Sequence, residues 1–352
     1  MKRVVIIDGK NQVYRMAAVN PNLSRSDGFP TGALYGCLNS TLAIARRLPD
    51  TSFVWVWDGD GETWRQKMTR ENVLVRASYQ ANIEHKPKPR KHPRKYGYKA
   101  NRIREEVETE HKYPVDWRAR ADLQIPVLRL VLEGSGFRNF QIPQLEGDDL
   151  IALLTRYLLK NTSYEVIIHS GDRDFYQLLK HKRVKILTNI RDKKLRFMDR
   201  KKVKKEHKVS VRDWIKYRAW TGDPTDNIPH LRSIGPSAAL KLLKHGFDPS
   251  LKYDMLPELD KKLERFFEPN GIEQTWPFVE QNYKLCKLVS RPDDDRLPEQ
   301  IRKKVVELLS HVRVTRDHKK VNADTYRRIS YLLMSYQLKS ILSQRDVLWR
   351  IP

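Results

Sequence analysis

The sequence predicts an α/β fold: a mostly parallel central sheet flanked by helices, then a helix-hairpin-helix region and a helical C-terminal part. Three observations carry this. Residues 3–7, 52–57 and 164–169 are short apolar runs rich in β-branched and aromatic side chains, the pattern of strands covered on both faces. Elsewhere apolar residues recur at helical spacing, as in Ile151, Leu154, Leu158 and Leu159. The first two strands both stop at an acid followed by glycine, Asp8-Gly9 and Asp58-Gly59, which sets two carboxylates at one edge of a parallel sheet.

Taken in order, residues 3–7 form the first strand. Pro30-Thr31 starts a helix whose apolar face includes Leu34, Leu38, Leu42 and Ala45, with Cys37 in its core. Residues 52–57 form the second strand. Residues 61–115 differ in kind. Lys86, Lys88, Arg90, Lys91, Arg94, Lys95, Lys99, Arg102 and Arg104 follow one another with no acid among them. Pro87, Pro89 and Pro93 argue against a regular helix there, and Tyr96 and Tyr98 are interleaved. This stretch is either a solvated insertion or a basic loop that tracks phosphates while its tyrosines stack on bases.

Residues 119–136 read as one helix with Leu123, Val127, Leu130 and Val131 on its buried face. Two acid bursts follow. Glu146, Asp148 and Asp149 stand where a helix begins; Asp172 and Asp174 follow the strand at 164–169. Singly, such acids are ordinary helix caps and solvated loop residues. Paired at strand ends, they face one crevice, where crowding would keep some protonated unless cations compensate. Hard divalent ions with oxygen ligands are the usual compensation. Residues 184–187 read as another strand, and Arg200, Lys201, Lys202, Lys204, Lys205 and Lys208 as a second basic cluster, solvated face or phosphate track. A helix over 211–220 leads to a loop at 221–229 that adds Asp223 and Asp226. Gly235 and Pro236 then open another helix. Such a hairpin offers backbone amides and a helix N-terminus to a phosphate, although a core helix hairpin looks similar.

Composition narrows the function classes. Lys and Arg number 68 against 43 Asp and Glu, a formal net charge of +25 over 352 residues, which argues for a polyanionic partner, nucleic acid above all. Two cysteines, Cys37 and Cys286, exclude a disulfide framework and a cysteine-rich zinc site. No stretch approaches the ~18 apolar residues of a membrane span. The run after Met1-Lys2-Arg3 is too short for a signal peptide, so a reducing cytoplasm is the expected compartment.

These residues together carry a resemblance. The chain resembles the 5′-nuclease superfamily: flap endonucleases, the 5′-nuclease domain of bacterial DNA polymerase I and phage 5′–3′ exonucleases. Asp8-Gly9 with Tyr14-Arg15 is similar to the family's opening, and residues 28–36 match the start of its first long helix. Trp57-Asp58-Gly59 stands for Phe-Asp-Gly, and residues 98–102 are the family's Tyr-Lys-Ala-Asn-Arg. Residues 146–149 resemble Glu-Ala-Asp-Asp, residues 172–179 Asp-Lys-Asp-Leu-Tyr-Gln-Leu-Leu, and residues 222–229 Gly-Asp-Pro-Ser-Asp-Asn-Ile-Pro. The likeness runs in order from residue 3 to about 245. Its usual Gly-Val-x-Gly-Ile-Gly hairpin is altered here to residues 230–235, which puts the family's hairpin-bound potassium ion in question. Tyr98-Lys99 also follows Asp58 at a longer distance, so residues 66–95 look like an enlarged arch. Nothing after about residue 250 carries a familiar motif, though that tail reads helical.

The resemblance implies a PIN/5′-nuclease-like core over 1–198 with an arch at 61–115, a helix-hairpin-helix region over 199–250 and a helical extension over 251–352. It implies a two-metal phosphodiester hydrolase using Mg2+ or Mn2+. Asp8, Asp58, Glu146 and Asp148 would belong to the first ion, and Asp149, Asp172, Asp174, Asp223 and Asp226 to the second, with Asp148 and Asp149 near both. Lys99 and Arg65 would add positive charge at the scissile phosphate and Tyr98 would stack on the terminal base. Arg15, Arg102, Arg232, Ser233, Gly235, Ser237 and Lys241 would bind the DNA backbone, with Arg232 offsetting the altered hairpin. The expected substrate is DNA with a 5′ single-stranded end or flap, RNA primers in hybrids included. Expected further partners are a replication polymerase or a single-strand-binding protein. The absence of a polymerase part suggests a stand-alone monomer of phage type, at work in a bacterial host cytoplasm. A non-catalytic DNA-binding relative and a PIN-type ribonuclease are the alternatives. Retention of every acid position argues against the first, and the loop and hairpin after Gly222 against the second.

Overall fold

The computed structural model describes residues 2–71, 98–99, 116–192, 194–231, 234–267, 271–315 and 322–344, with Leu348 and Ile351. Six strands form one sheet: β1 (Arg3–Asp8), β2 (Thr51–Val56), β3 (Arg138–Phe140), β4 (Glu165–His169), β5 (Val184–Arg191) and β6 (Lys194–Met198), in the order β3-β2-β1-β4-β5-β6. All neighbours are parallel except β5 and β6. The mixed α/β fold expected from the sequence is therefore present. β3 and β6 were not expected; each lies at a sheet edge, and a three-residue strand or an exposed edge leaves little apolar pattern to read.

Alternate residues of the central strands serve opposite faces. Val4, Ile6, Val54, Val56, Val166 and Ile168 enter one core cluster, while Val5, Ile7, Phe53, Trp55 and Ile167 enter the other. The second face is covered by α1 (Gly9–Val19), α2 (Gly32–Arg47), α4 (Trp117–Asp122) and α5 (Ile125–Gly134). The first face carries α3 (Trp64–Glu71), α6 (Gly147–Asn161), a 3-10 segment at Asp174–Lys180, α7 (Arg200–His207), α8 (Trp214–Thr221) and α9 (Pro236–Lys244). The expected helix over 119–136 is two helices. Pro126, in the first turn of α5, fits no helix interior, so Leu123 ahead of the break is exposed; within α5 the buried stripe is Val127, Leu128, Val131 and Leu132, which leaves Leu130 exposed.

The C-terminal residues join both layers. A short 3-10 turn (Tyr253–Met255) and α10 (Lys261–Glu264) lead to α11 (Gly271–Cys286), which packs on α8; Trp276 meets Trp220 edge to face. With α12 (Glu299–Ser310), these helices share the first cluster. The chain then crosses over: α13 (Ala323–Ser335) and α14 (Lys339–Leu342) close the second cluster through Ile329, Leu333 and Ile341. Contact there is close enough that a Cβ on Gly134 would lie 2.6 Å from Ile329 Cδ1. Among the described residues no helix is long and apolar enough to cross a membrane.

Candidate active site

The sheet reverses direction of winding at β1, with β2 on one side and β4 on the other, and ligands of open α/β sheets bind at such a point beyond the strand carboxyl ends. Register sets Asp8 opposite Val56 and Ile7 opposite His169, so Asp8, Asp58 and the Ser170–Asp174 loop emerge together. Asp8 caps α1 by accepting from Asn11 N at 3.1 Å, and accepts from Ser170 Oγ at 2.8 Å. Asp58 accepts from Gly147 N at 2.8 Å, which ties the end of β2 to the start of α6. The turn between them tolerates no side chain at Gly59, where a Cβ would lie 1.8 Å from Ile142 O. Asp148 projects from the first turn of α6, and Asp172 Oδ1 accepts from Asp174 N at 2.8 Å.

These acids crowd one another. Burial, with Asp58 and Asp172 close by, pushes the Asp8 carboxyl up to about 7 against the hydrogen bond from Ser170. Burial and then Asp172 and Asp8 push Asp148 well above the usual carboxylate range, and burial raises Asp172. Asp174 is pushed up to about 7 by burial and by Asp172, against the pull of Arg218. Asp174, Asp223 and Asp226 form a second group, each offering an oxygen within 4.8 Å of the others. Asp223 Oδ1 accepts from Thr225 N at 2.8 Å, in a loop that Gly222 enters with a left-handed φ of 66°. The donor set is wholly carboxylate oxygen, and protonation is the alternative to a nearby cation. Such a set suits hard divalent ions.

A third group is built differently. Glu146, Asp149 and Arg65 are all buried. Arg65 Nη1 lies 2.6 Å from Glu146 Oε2 and 2.7 Å from Asp149 Oδ2, and Nη2 donates to Asp149 Oδ1 at 2.9 Å. Trp64 Nε1 and Val289 N also donate to Asp149, at 2.9 and 2.8 Å. Protein donors therefore occupy both Asp149 oxygens, and this acid braces the site rather than opening onto it. Arg65 is a brace too: its guanidinium is sunk among these acids and the carbonyl of Leu285, not turned to the crevice as sequence reasoning expected. Lys99 reaches Glu146 Oε1 at 2.9 Å from a left-handed backbone (φ 54°). Burial would raise Glu146, but Lys99 and Arg65 outweigh it and hold it at about 2. Tyr98 is also buried, its hydroxyl 3.3 Å from both Glu146 and Asp226. Its ring offers no face for base stacking in this arrangement.

Of the expected backbone-binding residues, Arg15 extends toward Asp8 and Gly171, and its Nη1 is buried with no hydrogen-bond partner. Gly235, Ser237 and Lys241 lie exposed at the start and along one side of α9, and a Cβ on Gly235 would meet nothing within 4 Å. Arg102, Arg232, Ser233 and the basic run at 86–95 lie outside the described residues. Sequence reasoning missed Ser170, Arg218 and the turn at 285–289. Gln177 stitches that turn to the acid loop, donating to Asp174 O at 2.8 Å and accepting from Leu288 N at 3.1 Å. Only Arg218 had a local signal, its place one helical turn before Gly222.

A family model described as 5′-3′ exonuclease, N-terminal resolvase-like domain, matches residues 3–208. The 5′-3′ exonuclease of Aquifex aeolicus is 25% identical over 352 residues, 99% of this chain and 97% of that protein. DNA polymerase I of Deinococcus radiodurans is 32% identical over 241 residues, 68% of this chain but 20% of the polymerase. Among solved structures, T5 5′-exonuclease with bound zinc superposes with a TM-score of 0.60 at 18% identity, over 88% of this chain and 99% of that one. T5 flap endonuclease in a pseudo-enzyme–product complex with DNA and metal ions gives 0.54 at 18% identity, over 88% and 100%. These two likenesses concern the fold.

Proposed function

The chain belongs to the 5′–3′ exonuclease family with a resolvase-like N-terminal domain, and on that premise we propose that it is a metal-dependent 5′–3′ exonuclease and flap endonuclease acting on DNA. The observation that supports this most is the set of aspartates from the end of β1, the first turn of α6 and the loop after β4, Asp8, Asp148, Asp172 and Asp174, whose carboxyls burial and mutual repulsion push up. Asp8, Asp58, Asp148 and Asp172 hold one divalent ion; Asp174, Asp223 and Asp226 hold the other, with Mg2+ or Mn2+ as the ion. When bound, such ions raise the acidity of the attacking water and neutralise charge on the attacking and leaving oxygens.

The chain's own residues position the phosphodiester. Lys99, fixed by Glu146 and largely covered with 15% of its side chain exposed, presents its ammonium toward the scissile phosphate. Burial pulls its pKa down, but Glu146 and Tyr98 hold it well above the ordinary value, so the charge is permanent. Arg15 adds a second cation beside Asp8. Glu146, Asp149, Arg65 and Tyr98 keep these groups in place. The exposed N-terminus of α9, with Gly235, Ser237 and Lys241, takes a duplex phosphate. The excess of 68 basic over 43 acidic residues supplies sequence-independent attraction for a polyanionic strand.

The test is cleavage of end-labelled single-stranded, nicked, blunt and 5′-flap DNA with Mg2+ or with EDTA. Products released from the 5′ side, with Mg2+ only, are expected. Cutting that persists in EDTA, or that starts from the 3′ end, would overturn the reading.

A further inference from the structure

Arg218 stands inside a group of acids, not at its rim. It projects from α8, where its carbonyl accepts from Gly222 N at 2.8 Å as the helix ends. Its Nη2 forms an ion pair with Asp223, and its Nε lies 3.8 Å from Asp174 Oδ1. That Nε is buried and has no hydrogen-bond partner. The guanidinium therefore sits against oxygens that, with Asp226, lie within 4.8 Å of one another. In the other carboxylate group Arg15 and Lys99 act from nearby, but neither pairs directly with Asp8, Asp58, Asp148 or Asp172. Among the described residues its one ion pair is the exposed contact of Lys10 with Asp58 at 3.4 Å.

A guanidinium cannot shed its proton to make room. It offsets part of the charge of the three acids, and it occupies an Asp223 oxygen. Thr225 N already donates to the other Asp223 oxygen, so a divalent ion would compete with Arg218 for this carboxylate. We infer that Arg218 is the resident counter-ion of the Asp174–Asp223–Asp226 group, and that a divalent ion must displace it from Asp223 to bind. The inference rests on the reading of that group as an ion site. It follows that the two ions fill in order. The group around Asp8 binds first, and the group around Asp223 binds weakly because its ion competes with a tethered cation.

The experiment is titration of the full chain with Mn2+, followed by the paramagnetic resonance signal of the free ion. Wild type is expected to bind one ion more tightly and one more weakly. In Arg218→Gln the weaker ion should tighten by about tenfold or more, the scale of a close charge contact removed, while the tighter ion changes by less than about twofold. A weaker ion that binds equally or less well in the variant would overturn the inference. A wild type that binds no Mn2+ would instead remove the two-ion reading beneath it. Should the variant fail to fold, wild type supplies the test. Phenylglyoxal modification of Arg218, mapped by mass spectrometry, should accelerate with Mn2+, and equal rates with and without Mn2+ would refute displacement.

Discussion

Replacing Arg65 by Met keeps the length of a buried side chain and removes its charge. The guanidinium lies between two buried carboxylates, 2.6 Å from Glu146 and 2.7 Å from Asp149, and stacks on the Trp64 ring at 4.4 Å. Two routes give the size of the effect. Removing one partner of a buried ion pair costs about 3–5 kcal/mol. Independently, Lys99 and Arg65 overcome the upward push of burial on Glu146 and take it from 4.5 to about 2. That is roughly 3 kcal/mol in favour of its ionised form, shared between the two cations. Arg65→Met should therefore lose about 3–4 kcal/mol of unfolding free energy in urea at pH 7 with EDTA present. Arg65→Lys should recover little, because one ammonium cannot reproduce the two-pronged contact with Asp149. The pH dependence has a fixed sign. Glu146 has a folded pKa below its unfolded one, so its contribution is present above about 4.5 and lost as pH falls toward 2. The gap between wild type and variant should narrow across that window. A loss under about 1 kcal/mol at pH 7, or a gap as large at pH 3 as at pH 7, would refute the buried-brace reasoning.

Asp172→Asn should abolish cleavage while DNA binding persists or tightens, since its Oδ1 can still accept from Asp174 N while a charge facing phosphates disappears; fluorescence anisotropy and cleavage, measured side by side, check this. Asp8 and Asp174 have folded pKa values raised to about 7 from 3.8, so with EDTA the melting temperature should fall as pH rises from about 4 to about 7, then level; Mg2+ should cancel the fall. A profile flat over that range in EDTA would count against crowding of the acids. Gly59→Ala should yield little folded protein, because its Cβ would collide with the Ile142 carbonyl; wild-type expression and melting would contradict the packing.

The acids were legible because their positions are local facts. An apolar run that stops at an aspartate is a buried strand with an acid at its carboxyl end; β1 and β2 are two such strands, and β4 beside β1 leads within three residues to Asp172. The start of α6 was legible for the same reason, with Asp148 and Asp149 ahead of a helical apolar pattern. What each acid meets was not. Asp149 looks like its neighbour Asp148 in sequence, yet one helical step turns it toward Arg65, Trp64 and Val289. Those contacts cross separations of 84, 85 and 140 residues, and no local pattern records them. The turn at 285–289 acts through backbone groups, the carbonyl of Leu285 and the amides of Leu288 and Val289, so its side chains carry no motif. Leu123 was misplaced because Pro126 breaks the run ahead of α5, and Leu130 because the buried stripe of α5 runs through Val127, Leu128, Val131 and Leu132 and leaves it on the outer side.

On the proposed function, the crevice at the ends of β1, β2 and β4 holds two divalent ions in two carboxylate groups. Anomalous scattering from crystals of the wild-type protein grown with Mn2+ tests it most directly. Two peaks are expected, one among Asp8, Asp58, Asp148 and Asp172 and one among Asp174, Asp223 and Asp226, with none at Asp149. Mn2+ bound to Asp149, or found only away from these acids, would contradict it.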